Sequence, residues 1–172
     1  MNKIILLGYM GSGKSTIAKL LAEKTGFPFL DLDKMIETQE LLSVREIFEQ
    51  KGEIYFRKAE HTLLKELVAS TDQFVLSLGG GTPCYANNHE LLNGEGIISV
   101  YLKASVAELY QRLGRNRFRR PLIAAMADDE LKEFIAKHLF ERSFFYNKAS
   151  NTIVVDGQSA DDVVSEIRSL LV

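Results

Sequence analysis

Short, nearly continuous apolar runs alternate along this chain with longer stretches whose apolar residues recur at helical spacing. The first run, Ile4-Ile5-Leu6-Leu7, predicts a parallel strand over Lys3–Leu7 that is buried on both faces. Ile17, Leu20 and Leu21 then mark a helix from Ser15 to about Lys24, stopped by Gly26 and Pro28. Phe29-Leu30-Asp31-Leu32-Asp33 predicts a second strand, and alternation would set Asp31 and Asp33 on one face at its carboxyl end. From Lys34 to about Val68 the positions Ile36, Ile47, Phe48, Leu63, Leu64 and Leu67 follow a helical period. Gly52 interrupts that pattern, and Ser43 followed by Glu46 could be a capping box opening a new helix, so three helices with short breaks are expected. Gln73–Leu78 predicts the third strand, which runs into Gly79-Gly80-Gly81. A short helix over Asn87–Leu92 precedes a fourth strand over Ile97–Leu102 and a helix over Val106–Leu113. The segment Gly114 to Leu122 is too polar and basic to bury; a long helix over Asp129–Tyr146, a fifth strand over Thr152–Val155 and a closing helix over Ala160–Leu171 follow. Strands alternating with helices predict a parallel three-layer α/β fold, built as one domain over residues 1–172.

Composition changes this picture little. The fractions of 46% apolar and 26% charged residues are those of an ordinary globular chain, and 172 residues suffice for one substantial core. A net charge of −2 offers no global attraction to nucleic acid or a membrane surface. The single Cys84 excludes an internal disulfide framework and fits a reducing compartment. His61, His89 and His138 are scattered without metal-ligand spacing. The first strand starts almost at once, so no signal peptide is expected, and no apolar run approaches the roughly 20 residues that span a bilayer.

The first strand ends in Gly8-Tyr9-Met10-Gly11-Ser12-Gly13-Lys14-Ser15, which fits G-x-x-x-x-G-K-[ST]. Glycines at those places let the chain coil so that backbone N–H groups converge on a phosphate, and the following helix aims its positive end at the same anion. Lys14 would reach the terminal phosphates and the Ser15 hydroxyl would ligate the accompanying Mg²⁺.

A phosphate loop of this kind needs a carboxylate near the metal. The third strand, which should supply it, reads FVLSLGGG and holds no acid. Asp31, at the end of the second strand, is the available substitute, and Asp33 one pleat further out could orient or deprotonate an acceptor hydroxyl. Either carboxylate could instead cap the next helix. Arg57 sits between Glu53 at i−4 and Glu60 at i+3, so a surface ion-pair network competes evenly with a binding role. Arg112, Arg115, Arg117, Arg119 and Arg120 form a basic segment between two helices. Such a segment can close over a triphosphate and place a guanidinium on the transferring group. Only Phe118 interleaves with that charge, which argues against a nucleic-acid patch. Arg142 alone would merely complement a helix dipole.

Taken in order, GYMGSGKST, FLDLD, GEIYFRKAE, LSLGGG, RRPLI and ERSFFY resemble the shikimate kinase family over nearly the whole chain, from Lys3 to Tyr146. The resemblance implies the fold of nucleoside monophosphate kinases: a three-layer P-loop kinase fold with a five-stranded parallel sheet, helices on both faces and a mobile lid at about 112–125. It implies ATP-dependent phosphorylation of the shikimate 3-hydroxyl, with Mg²⁺, in a cytoplasmic monomer. Carried over by motif, Gly11, Ser12, Gly13, Lys14, Ser15 and Thr16 would bind ATP and Ser15 the Mg²⁺, beside which Asp31 is the substitute acid read from the residues above. Asp33 would bind the shikimate hydroxyls, Arg57 and Arg142 its carboxylate, and Gly80 would contribute backbone, with acceptor-binding helices at about 33–68. Arg120 would be the lid arginine, with Arg119 beside it as the alternative, and Arg112 would lie against adenine. Asp156-Gly157-Gln158 falls where the family contacts the same base.

Two rival readings follow from the same residues. A gluconate kinase of this fold also takes a hydroxylated carboxylate, and Arg57, Gly79–Gly81 and Arg142 together discriminate against it. A P-loop regulatory module that signals by conformation is favoured by the acid missing after the third strand, and opposed by FLDLD and the basic segment.

Overall fold

The computed structural model describes residues 3–172. Its sheet has five parallel strands in the order β2-β3-β1-β4-β5: β1 (Lys3–Leu7), β2 (Phe29–Asp31), β3 (Phe74–Ser77), β4 (Ile97–Lys103) and β5 (Asn151–Val154). Ile4 to Leu7 are completely buried, as a central strand covered on both faces requires. The chain leaves β1 for β2, returns through β3 between them, and only then crosses to β4 on the other side. The reversal therefore falls at β1, where α/β sheets open a crevice beyond the strand ends.

Among the described residues six helices connect the strands and a seventh follows the last: α1 (Lys14–Thr25), α2 (Leu32–Glu40), α3 (Val44–Lys51), α4 (Glu53–Ala69), α5 (Val106–Asn116), α6 (Asp128–Tyr146) and the closing α7 (Ala160–Ser169). Gly26 ends α1 in the left-handed conformation, its N–H bonded to the Ala22 carbonyl. The Ser43–Glu46 capping box opens α3 as expected. The predicted short helix over Asn87–Leu92 is a 3₁₀ turn over Asn88–Leu92.

Two expectations need correction. The second strand stops at Asp31 rather than Asp33. Asp31 caps α2, its Oδ1 accepting from the Lys34 N–H at 3.1 Å, and Asp33 lies in the first helical turn. Strand alternation therefore does not govern Asp33, whose neighbour Leu32 is fully buried at the helix start. The helix predicted to stop at Leu113 continues through Gly114 to Asn116, and a 3₁₀ turn over Arg117–Arg119 follows. Buried Leu113 and the Arg112–Glu108 pair at 2.8 Å extend the helix past a single glycine. The basic segment also carries its own anchor, Ile123, which is fully buried.

Candidate active site

The carboxyl end of β1 opens into a cavity of about 350 Å³, walled by the phosphate loop, Asp31, Asp33, the β3 end from Ser77 to Gly80, and Arg120. The loop has the predicted backbone: Gly11 and Gly13 take φ of 84° and 96°, and Gly13 is the N-cap of α1. Lys14 donates from Nζ to the carbonyls of Gly8 at 2.7 Å and Tyr9 at 3.1 Å. Burial pushes its pKa down to about 8; Asp33 opposes that shift, and Arg120 and Arg142 add to it. The ammonium is folded onto its own loop and lacks a full counter-charge, which a phosphate would supply.

Asp31 pairs in register with Ser77, so the carboxylate absent from β3 stands on the adjacent strand. Its Oδ2 accepts from the Ser15 hydroxyl at 3.4 Å while Oδ1 caps α2, so capping does not keep the carboxylate away from Ser15. This pair offers two hard oxygen donors and suits a magnesium ion, which keeps several waters and completes its shell with substrate phosphates. Among the described residues no group of three His, Cys, Asp or Glu could make a fuller protein cage.

The triple glycine assembles the other half. A Cβ on Gly79 would lie 2.9 Å from the Asp33 carboxylate, one on Gly80 would lie 3.1 Å from Arg142 Nη1, and one on Gly81 would lie 2.8 Å from Arg57 Nη2. Asp33 of α2, Arg57 of α4 and Arg142 of α6 thus meet on three consecutive residues with no side chains. Gly80 also lies close to the phosphate loop, its Cβ position 3.6 Å from the Met10 nitrogen. Asp33 is pushed up to about 6, first by burial and then by the Glu60 and Asp31 charges, against the pull of Lys14 and Arg57.

Arg57 does pair with its helix neighbours, but not as a surface network. Its Nη1 donates to Glu60 at 2.8 Å, and Glu60 is only 1% exposed. The second oxygen of Glu60 accepts from the Thr82 hydroxyl at 2.7 Å, which ties α4 to the residue after the triple glycine. Helical spacing alone makes Glu60 a surface partner of Arg57. The available signal was that Glu60 lies in the apolar stripe of Phe56, Leu63 and Leu64, where an acid must be paired. Tyr146, also unassigned from sequence, donates its hydroxyl to the Gly80 carbonyl at 2.6 Å.

Within the basic segment, Arg120 lines the cavity and its charge acts on Lys14, whereas Arg119 is exposed and outside the lining. Arg117 is bound elsewhere, to Asp128 at 2.6 Å and the Met126 carbonyl at 3.1 Å. Arg112 donates to the Gly11 and Ser12 carbonyls at 3.3 and 3.2 Å. With Gly13, Thr16, Gln158 and Ser159 it lines a neighbouring cavity of about 240 Å³. Cys84 is half-buried, its thiol pushed up to about 11 chiefly by burial, which suits an inert residue. No helix among the described residues is long and apolar enough to cross a membrane.

Comparison with known proteins bears on this arrangement. The family model described as shikimate kinase matches residues 10–172. A shikimate kinase of Flavobacterium johnsoniae is 58% identical over 171 residues, covering 99% of each chain, and one of Flavobacterium psychrophilum is 53% identical over the same span. The crystal structure of shikimate kinase from Bacteroides thetaiotaomicron superposes with a TM-score of 0.89 at 35% identity, covering 99% of this chain and 98% of that one. A shikimate kinase from Acinetobacter baumannii in complex with shikimate superposes with a TM-score of 0.85 at 34% identity, covering 99% and 93% of the respective chains.

Proposed function

This chain belongs to the shikimate kinase family, and from that premise we propose how its residues divide the ATP-dependent phosphorylation of the shikimate 3-hydroxyl. The activity is that of a small-molecule kinase producing shikimate 3-phosphate on the route to chorismate and the aromatic amino acids. The division of labour rests on one observation: Asp33, Arg57 and Arg142 converge on Gly79–Gly81 beside the phosphate loop.

The donor half is Gly11 to Thr16. Its N–H groups and the α1 dipole hold the ATP phosphates, and Lys14 leaves the Gly8 and Tyr9 carbonyls to meet them. Arg112, with Gln158 and Ser159 beside it, flanks the adenine. Magnesium bound with ATP neutralises phosphate charge, and Ser15 with Asp31 would hold it.

In the acceptor half, Arg57 and Arg142 grip the shikimate carboxylate from two helices. A paired guanidinium clamp fixes a small anion in one orientation. Asp33, ionised at neutral pH with its pKa near 6, accepts a hydrogen bond from the reacting hydroxyl and aims its oxygen at the terminal phosphate. The bare backbone of Gly80 leaves room for the ring. Arg120 closes with residues 112–125, excludes water and stabilises charge on the transferring group. Phosphoryl transfer asks for little beyond such alignment and neutralisation. The same reading makes the protein a cytoplasmic monomer, for which size-exclusion chromatography at working concentration should give a mass near 19.4 kDa.

A coupled ADP-release assay with ATP, Mg²⁺ and a panel of hydroxy acids tests the proposal. Shikimate should support turnover and gluconate should not. Arg57→Ala should lose shikimate affinity and keep ATP affinity; the reverse pattern would overturn the clamp.

A further inference from the structure

Tyr85 stands over the Arg57 guanidinium with 3.9 Å between Arg57 Cζ and the ring centroid. This is a stacking distance, well inside the range in which the ring quadrupole attracts a cation. The Phe56 ring also lies near the guanidinium, its centroid 5.3 Å from Arg57 Cζ. Of the guanidinium nitrogens, Nη1 is taken by Glu60, while buried Nε has no hydrogen-bond partner among the described residues. Glu60 at 2.8 Å and the longer contact of Nε with the exposed Glu53, at 3.8 Å, leave the guanidinium plane free to tilt about Nη1. The stacked ring removes this freedom and leaves Nη2 directed at Gly81.

The turn that presents Tyr85 is strained and heavily braced. Ala86 and Asn87 follow it with φ of 50° and 54°, two successive non-glycine residues in the left-handed region. At Ala86 this costs of order 1–2 kcal/mol, Asn being better tolerated there, and such strain persists only where the surroundings over-determine it. Here they do. The Tyr85 carbonyl accepts from the Asn88 N–H at 3.0 Å, and the Asn88 amide donates to the Thr82 carbonyl at 2.9 Å. Asn88 Oδ1 also meets His61 Nδ1 at 2.7 Å. Three links therefore join one side of α4 to this turn: Arg57 to Tyr85, Glu60 to Thr82 and His61 to Asn88. Tyr85 itself is 37% exposed and adds little to the core, so stability alone does not account for the strain that positions it.

We propose that Tyr85 is a positioning residue for the acceptor: its ring fixes the plane of the Arg57 guanidinium and shields it from water, so that Arg57 is preorganised for a carboxylate. The inference rests on Arg57 being part of the acceptor clamp. Fixing the guanidinium before binding removes an ordering cost from association and leaves the chemical step untouched. The contact uses the ring and not the hydroxyl.

Steady-state kinetics on four variants test this. Tyr85→Leu should raise the KM for shikimate roughly 5- to 20-fold, the worth of a partly desolvated cation–π contact, with kcat and the ATP KM within about twofold. Tyr85→Phe should restore the shikimate KM to within about twofold of wild type. Arg57→Ala should raise that KM further, and Tyr85→Leu added to Arg57→Ala should change nothing more. Thermal melts of each variant separate these effects from a loss of fold. A wild-type KM in Tyr85→Leu would overturn the proposal, as would an undiminished effect of Tyr85→Leu without Arg57. A wild-type KM in Arg57→Ala would overturn the clamp itself, and the positioning role with it.

Discussion

Both halves of this site are built on glycine, for opposite physical reasons. In the phosphate loop Gly11 and Gly13 hold φ of 84° and 96°, values that an L side chain rarely adopts, and a Cβ on Gly13 would meet nothing closer than 3.7 Å. Gly13 is needed for its backbone. Gly79 and Gly80 are absent from the positive-φ residues and Gly81 has φ of −90°, yet a Cβ on any of the three would press on Asp33, Arg142 or Arg57. The triple glycine is needed for its emptiness. A donor site that coordinates phosphate with backbone N–H groups must shape the chain. An acceptor site that recognises a small polar ring with side chains must leave space between them.

The sharpest break between the halves is Lys14→Ala. It should lower kcat by about 10³-fold or more, since it removes a preorganised charge from the transferring phosphates. The coupled assay at saturating shikimate measures this directly. Next comes Gly81→Ala, whose Cβ would displace the Arg57 guanidinium from 2.8 Å. The shikimate KM should rise roughly tenfold or more, the loss expected when a charge-assisted contact is broken, with the ATP KM unchanged. Gly13→Ala should behave inversely, costing about 1–2 kcal/mol of stability through backbone strain and weakening ATP rather than shikimate. If both substitutions damaged the same substrate, the contrast drawn here would fail.

Smaller effects sharpen it. Asp33 has a folded pKa near 6, above its ordinary value of 3.8, so the folded state holds its proton more tightly than the unfolded one. This penalty is absent below about pH 4, grows as pH rises through that window, and is complete above pH 6. Asp33→Asn should therefore raise the melting temperature of the ligand-free protein at pH 7 by a few degrees, on the order of 2–6 °C, and not at pH 4. It should also cut activity. Equal melting shifts at both pH values would show that the carboxylate is not strained by its setting. Lys14 is the mirror case: with its folded pKa depressed to about 8, stability rises with pH from there toward 10.5. The least effect is expected from Tyr146→Phe, which removes the 2.6 Å bond to the Gly80 carbonyl. A loss of about 1 kcal/mol in denaturant unfolding, with a shikimate KM change below about threefold, is the expected outcome.

Much of the fold could be read before the structure. Strands with continuous apolar runs, such as Ile4–Leu7, and capped helices, such as Ser43–Glu46 into α3, carry local signals that tertiary packing did not override. Misreadings arose where a side chain chose between two local uses. Asp33 is expected on the strand and lies in the first turn of α2, because Asp31, the last residue of β2, also caps that helix and satisfies an otherwise orphaned N–H. For Arg57 the sequence leaves a surface pair and a site equally open, because helical spacing reports neighbours on one helix but not burial. The partner Glu60 is hidden by Thr82, a residue 22 positions away.

The sequence by itself determined the phosphate-loop motif and its backbone, because phosphate binding by a loop is contiguous chemistry: the glycines, Lys14 and Ser15 are close neighbours in the chain. It also determined the alternation of strand and helix that builds the sheet. Only the tertiary structure decided the cluster proposed as the acceptor site. Asp33, Arg57, Tyr85 and Arg142 are brought together by three helices and one strained turn, all referred to the end of β3. The same is true of which arginine of the basic segment faces the cavity, and of the adjacent strand that supplies Asp31 in register with Ser77. Those distances are set by how the elements pack, and no spacing along the chain encodes them.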